Sequence, residues 1–149
     1  MIEYTLRKYQ DEDYEFVYEI KKICYKKYVD EYYGGWDEDK QREMFADLMK
    51  EDSKHSYVII ADNKKIGFFS EGEDTEEVYR PNNLCLLPEY RGKGIGSNIL
   101  NKAFDKHKEQ DIYLKVFKSN PAKNLYQRLG FDICDETKSH YLMVRKKEQ

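Results

Sequence analysis

The stretch Leu86-Leu87-Pro88-Glu89-Tyr90-Arg91-Gly92-Lys93-Gly94-Ile95-Gly96-Ser97 decides the fold. An apolar run ends at Pro88, and glycines at every second position then open an amphipathic helix. Its apolar residues, Ile95, Ile99, Leu100, Ala103 and Phe104, recur at the helical period. Glycine lets backbone N–H groups approach a ligand closely. The first turn of a helix leaves donors unpaired and carries a partial positive charge. A strand that hands over to a helix through such a loop is therefore a phosphate socket.

Spacing separates the known sockets. A P-loop requires Lys-Ser or Lys-Thr after its last glycine, and neither follows here. A dinucleotide loop requires Gly-x-Gly-x-x-Gly, and the order Gly92, Gly94, Gly96 lacks the third glycine at that offset. It also requires an acid about twenty residues on, at the end of a second strand. Asp111 stands near that distance, but at the start of a strand. What fits is Arg91-x-x-Gly94-x-Gly96, which resembles motif A of the GNAT superfamily of acetyl-CoA-dependent N-acetyltransferases, Gln/Arg-x-x-Gly-x-Gly/Ala. A glycine-rich turn selected for tight packing is the structural alternative.

A second segment strengthens the resemblance. Asn120-Pro121-Ala122-Lys123-Asn124-Leu125-Tyr126-Gln127-Arg128-Leu129-Gly130-Phe131 resembles the family's Asn-x-x-Ala-x-x-Leu-Tyr-x-x-x-Gly-Phe, with Ala122 one residue early. Read locally, Asn120 is an N-cap, Pro121 suits the first helical position and Gly130 the C′ position. Ala122, Leu125, Tyr126 and Leu129 form one apolar stripe, so Tyr126 also has a reading as a half-buried core aromatic.

The bounds set by composition agree. A chain of 149 residues suits one domain, 1–149. A mean hydropathy of -0.95 and 37% charged residues describe a water-exposed surface. No apolar stretch approaches the roughly 18 residues of a membrane helix. Met1–Leu6 lacks the basic start and apolar core of a secretory signal, which points to the cytoplasm. Cys24, Cys85 and Cys134, odd in number and widely spaced, read as buried free thiols rather than disulfides. With His55, His107 and His140 they show no ligand spacing, so no metal is expected. The net charge of -3, with basic and acidic residues interspersed, argues against nucleic acid as the main partner.

The elements read as β-α-α-β-β-β-α-β-α-β-β. A strand at 2–7 precedes one or two helices over 11–33, with Phe16, Ile20, Ile23 and Cys24 on one face, ended by Tyr32-Tyr33-Gly34-Gly35. Trp36-Asp37 opens a helix to about Lys50, with Asp37 as N-cap and Met44, Phe45, Leu48 and Met49 inward. Ser56–Ala61 and Lys65–Gly72 form a hairpin around Asp62-Asn63-Lys64. A strand over 77–87, the glycine-loop helix, a strand over 112–117, a helix over 121–129 and a hairpin of 131–137 with 140–146 complete the order. This is the order of the GNAT fold along essentially the whole chain. The expected class is α/β (α+β mixed), with about four helices. Its sheet of six to seven strands is mixed and mostly antiparallel, splayed between the fourth and fifth.

The resemblance implies a site. Coenzyme A's pyrophosphate would rest on N–H groups of Arg91, Gly92, Lys93, Gly94, Ile95, Gly96 and Ser97, and its pantetheine arm would pair with the strand edge Leu84-Cys85-Leu86. The Leu86 N–H would meet the oxyanion, Tyr126 would protonate the departing thiolate, and Asn120 would orient the arm or simply cap its helix. A phenol of pKa about 10 facing a thiol of about 8.5 is a workable donor. Some family members carry a glutamate on the fourth strand where this chain has Arg80. Glu71 or Glu73 is the candidate base where one points into the cleft, the alternatives being that the acidic hairpin tip is only a solvated turn and that ordered water takes the proton. Acceptor choice falls to the segment from Tyr28 to Glu43. There Tyr32, Trp36 and Glu43, with Glu73, suit a cationic amine through cation–π contact and ion pairing, the alternative being that Trp36 packs as a helix staple while the acids face solvent. The implied partner is a small-molecule or peptide amine. The closing hairpin, 131–146, is a candidate homodimer surface. Competing readings are a non-catalytic acyl-CoA-binding regulatory module and a nucleotide-binding protein.

Overall fold

A computed structural model describes residues 2–148, and each element in it follows from local sequence. Thr5–Lys8 forms β1, Tyr14–Tyr33 α1, Glu38–Asp52 α2, Ser56–Ala61 β2, Lys64–Asp74 β3 and Val78–Leu86 β4. Ile95–Lys106 forms α3, Asp111–Phe117 β5, Ala122–Arg128 α4, Asp132–Glu136 β6 and His140–Arg145 β7. Hydrogen bonding orders the seven strands β1-β2-β3-β4-β5-β7-β6. The β1–β2, β2–β3, β5–β7 and β6–β7 pairs are antiparallel and β4–β5 is parallel. No helix among the described residues is long and apolar enough to cross a membrane.

Contacts divide the chain into two compact units. One holds the chain up to Glu71 together with Asn82–Asn101, and the other holds Gly72–Pro81 and the chain from Lys102 onward. The first unit centres on Val17, Tyr18, Ile20, Phe45, Met49, Val58, Phe68 and Cys85. Asp37 caps α2 by accepting from Lys40 N (3.0 Å), and Gly34 ends α1 with φ +81°, a conformation glycine adopts without steric cost. Asp62 and Asn63 both have positive φ, the tight turn that a two-residue hairpin demands. Asp13 is fully buried, holding Arg7 (2.9 Å) and Lys65 (2.6 Å). Burial alone would raise its pKa, but hydrogen bonds from Arg7, Lys65 and the Gln10 N–H bring it down to about 2.

The inward faces are narrower than periodicity predicts. Phe45 and Met49 are buried, whereas Met44 and Leu48, one step around α2, are 48% and 47% exposed. On α1, Val17, Tyr18, Ile20 and Tyr28 are buried, and Ile23 is 49% exposed. A helix lying on a sheet buries one stripe, and residues about 100° from its centre emerge into solvent. The first strand begins at Thr5 rather than residue 2, and β3 runs on to Asp74.

The second unit packs Tyr79, Phe104, Ile112, Leu114, Val116, Phe131 and Met143. Its β4–β5 register is Val78↔Asp111 and Tyr79↔Ile112, followed by six antiparallel pairs between β5 and β7. The Tyr79 and His107 rings stack at 3.5 Å. Strand β6 is exposed throughout, so Cys134 lies exposed rather than buried. Acids Asp132, Asp135 and Glu136 and a register shift between Ile133 and Asp135 blunt this edge against further pairing.

Candidate active site

In the first unit, β4 delivers the chain through the short turn Pro88–Tyr90 into the glycine loop. Tyr90 is buried and its hydroxyl donates to Asp62 Oδ2 (3.0 Å), which pins the loop's base to the β2–β3 turn. Gly92 and Gly94 take φ +72° and +86°, values that would strain any residue with a Cβ. Gly96 differs. It lies within α3, where an added Cβ would sit 3.5 Å and 3.6 Å from the Leu84 and Leu86 side chains, an ordinary contact. The first intrahelical bond runs from Asn98 N to Gly94 O (3.0 Å). The N–H groups of Ile95, Gly96 and Ser97 therefore open outward at the positive end of α3. Arg91, Gly92, Lys93 and Gly94 are exposed.

Leu87 N donates to Ile66 O (2.9 Å), so the backbone groups of Leu86 point away from β3, by the alternation of a strand. The Leu86 carbonyl accepts from Arg91 Nε (3.0 Å) and from the Cys24 thiol (3.8 Å), and Arg91 Nη2 donates to Cys24 Sγ (3.4 Å). The Arg91 side chain is folded back onto the strand end. The Leu84 and Leu86 side chains lie beside Gly96 of α3. Cys85 alternates to the opposite face and meets α1. On that same face Tyr25 donates to Asn83 Oδ1 (3.2 Å), and Asn83 donates to the buried Ser70 Oγ (2.9 Å). Sequence reading missed Cys24, Tyr25, Ser70 and Asn83. The one available signal was that Asn83 and Cys85 share a strand face.

The substrate candidates of this unit are differently placed. Trp36 donates from Nε1 to Glu38 Oε2 (2.9 Å), and Tyr18 and Lys22 hold the same carboxylate. With its ring edge-on to Tyr18 at 6.2 Å, Trp36 staples α1 to α2. Tyr32 is half-buried, Glu43 is exposed on α2, and Glu71 is half-buried in β3.

In the second unit, Tyr126 sits half-buried on α4, its ring 5.9 Å from that of Phe131. Burial raises its pKa above the ordinary tyrosine value, so the phenol holds its proton at neutral pH. The helix starts one residue later than expected, with Pro121 rather than Asn120 at the N-cap, and Asn120 just outside it accepts from Ala122 N (2.9 Å). Glu73 pairs with Arg80 (3.6 Å), whose guanidinium lies 4.6 Å over the Tyr113 ring. No group of His, Cys, Asp or Glu among the described residues could hold a metal ion.

Residues 21–131 match the acetyltransferase (GNAT) family. The chain belongs to that family. It is 39% identical over 62 residues to the ribosomal protein bS18-alanine N-acetyltransferase of Haemophilus influenzae, a match covering 40% of this chain and 42% of the relative. It is 27% identical over 156 residues to an N-acetyltransferase of Methanocaldococcus jannaschii, covering 96% and 67%. The PaiA N-acetyltransferase of Thermoplasma acidophilum, solved in complex with coenzyme A, shares the fold with a TM-score of 0.71 at 23% identity, covering 97% of this chain and 99% of that one. The mixed seven-stranded sheet is thus the GNAT sheet, as the two motifs and the element order implied.

Proposed function

We propose that the chain, acting as one N-acetyltransferase domain, moves an acetyl group from acetyl-CoA to a primary amine by direct transfer in a ternary complex. The observation that carries this reading is the start of α3, where glycines at positive φ and an open first turn present bare N–H donors. Such donors fit a diphosphate, and Arg91, Lys93 and Ser97 border them. The outward backbone of Leu84 and Leu86 suits the amides of an extended pantetheine arm, and the Leu86 N–H suits a developing oxyanion. Tyr126, protonated at neutral pH, is the proton donor to the leaving thiolate. An alkyl ammonium of pKa about 10 must lose a proton before it attacks. Glu73 is tied to Arg80, which leaves Glu71 or ordered water for that step.

The names of the relatives favour a peptide amine over a small cationic molecule. Tyr32, Trp36 and Glu43 are the proposed acceptor-side residues, with Trp36 shaping the site through the α1–α2 staple. Thiol release from acetyl-CoA with a panel of amines and N-terminal peptides tests the reading, repeated with Tyr126→Phe. Turnover that falls in the variant supports it. Tight coenzyme A binding without turnover on any amine would favour a non-catalytic acyl-CoA-binding module, the second reading, which Arg80 at the usual glutamate position supports.

A further inference from the structure

The sheet of the second unit carries an arginine at the strand position where some family members have a glutamate, and its surroundings suit a different task. Strand β4 pairs with β5 through Val78↔Asp111 and Tyr79↔Ile112, and Tyr79 and Ile112 are buried. The next residues on each strand, Arg80 and Tyr113, therefore project from the opposite face, by the alternation of side chains. There the Arg80 guanidinium lies 4.6 Å over the Tyr113 ring, and its Nε stands 3.6 Å from Glu73 Oε1. Lys115 follows Tyr113 on that same face and is exposed. We infer that Arg80 is a recognition site for a carboxylate, so that the acceptor is an amine bearing an acid group close to its nitrogen. This rests on the proposed function, because a base at that strand position would meet the acceptor amine.

The geometry prepares the guanidinium for a planar partner. The Tyr113 ring holds it by its face and takes none of its in-plane N–H donors. Glu73 engages only the Nε edge, and at 3.6 Å it stands beyond ordinary hydrogen-bond length. The two side chains are 42% and 48% exposed, so solvent screens their attraction and a ligand can displace it. Both Nη groups are thereby left for a second carboxylate, which arginine takes bidentately in one plane. A glutamate here would repel an acidic acceptor, whereas arginine inverts the charge that the strand presents. Lys115 adds a second positive charge along β5, acting at longer range and more weakly in salt.

Two kinds of acceptor share this chemistry: a peptide with an acidic side chain next to its N-terminus, and a free amino acid with its α-carboxylate. The test titrates the full chain, in excess coenzyme A, by calorimetry. The probes are the amidated tripeptides Ala-Glu-Ala, Ala-Gln-Ala and Ala-Lys-Ala, and alanine beside alaninamide. The acidic member of a pair should bind on the order of tenfold tighter than its neutral isostere, and Ala-Lys-Ala should bind most weakly. Preference within the peptides assigns the side-chain carboxylate, and preference for alanine over alaninamide assigns the α-carboxylate. Arg80→Gln should erase the ratio, and Arg80→Lys, which keeps the charge without the fork, should restore only part of it. Equal affinity within both pairs, binding of no probe, or a preference that survives Arg80→Gln would overturn the site. Thiol release from acetyl-CoA with the same probes separates the two readings. Acid preference in binding without turnover on any probe would break the proposed transfer and leave the site standing. With turnover, the effect of Arg80→Gln should appear in the KM of the acidic acceptor rather than in kcat.

Discussion

The two helices that open the family's two motifs begin in opposite ways. Helix α3 starts from Gly94, which has no side chain of its own to close the first turn, and its first bond runs from Asn98 N to Gly94 O. Helix α4 starts under Asn120, whose side-chain oxygen takes the Ala122 N–H. One start is left open and the other is closed by its own sequence. An N-terminal turn becomes a ligand socket when the chain declines to cap it. A capped start serves to hold a neighbouring side chain in place, here Tyr126 one turn further on.

The harshest way to break this contrast is Gly94→Glu. It puts a Cβ at φ +86° and a carboxylate over the open turn. Strain of about 1–2 kcal/mol adds to like-charge repulsion, and coenzyme A affinity measured by calorimetry should fall on the order of 100-fold or more. Unchanged affinity would mean the open start is not a socket. Next comes Tyr126→Phe, which should lower kcat about 100-fold while leaving the KM for acetyl-CoA nearly constant. Because burial raises the phenol's pKa, the proposed donor stays protonated past pH 10. The alkaline fall in rate due to this group should therefore lie above pH 10, and a fall centred lower would assign the donor elsewhere.

A gentler change sharpens the other side. Asn120→Ala should cost about 1 kcal/mol of stability in a denaturant titration, with coenzyme A affinity held, because the residue closes a helix rather than a ligand. The smallest effect is expected at Gly96→Ala. The added methyl finds ordinary contacts and α3 gains roughly 0.5–1 kcal/mol of helix preference, so Tm should rise slightly with binding intact. A large loss there would mean the helix must approach the ligand more closely than Leu84 and Leu86 allow.

Local signals carried most of the fold. Asp37, Gly34, Gly130, the Asp62-Asn63 turn and the glycine loop each encode a cap or a turn within a few residues, and all fall where the sequence put them. Periodicity located α1 and α2 but not the width of their buried stripes, which misplaced Ile23, Met44 and Leu48. That width depends on the surface each helix lies against. For the proposed site, the loop and Tyr126 stand out in the sequence as motifs. The bonds from Arg91 and Cys24 to the Leu86 carbonyl were not, because Cys24 joins residues 62 and 67 positions away. Such meetings exist only once the strands have paired. Asn120 illustrates the reverse, since its bond to the Ala122 N–H joins near neighbours in the sequence.

Gly67 governs something that none of the motifs mention. A Cβ there would meet the Cys85 carbonyl oxygen at 2.5 Å, with Leu86 and Ile59 side-chain carbons at 2.8 Å and 2.9 Å. The neighbouring ribbon therefore presses down on bare backbone, and a single hydrogen atom sets the clearance. Any larger residue would act as a shim, lifting the end of β4 and tilting everything mounted on it, so a substitution remote from the chemistry would detune the whole platform.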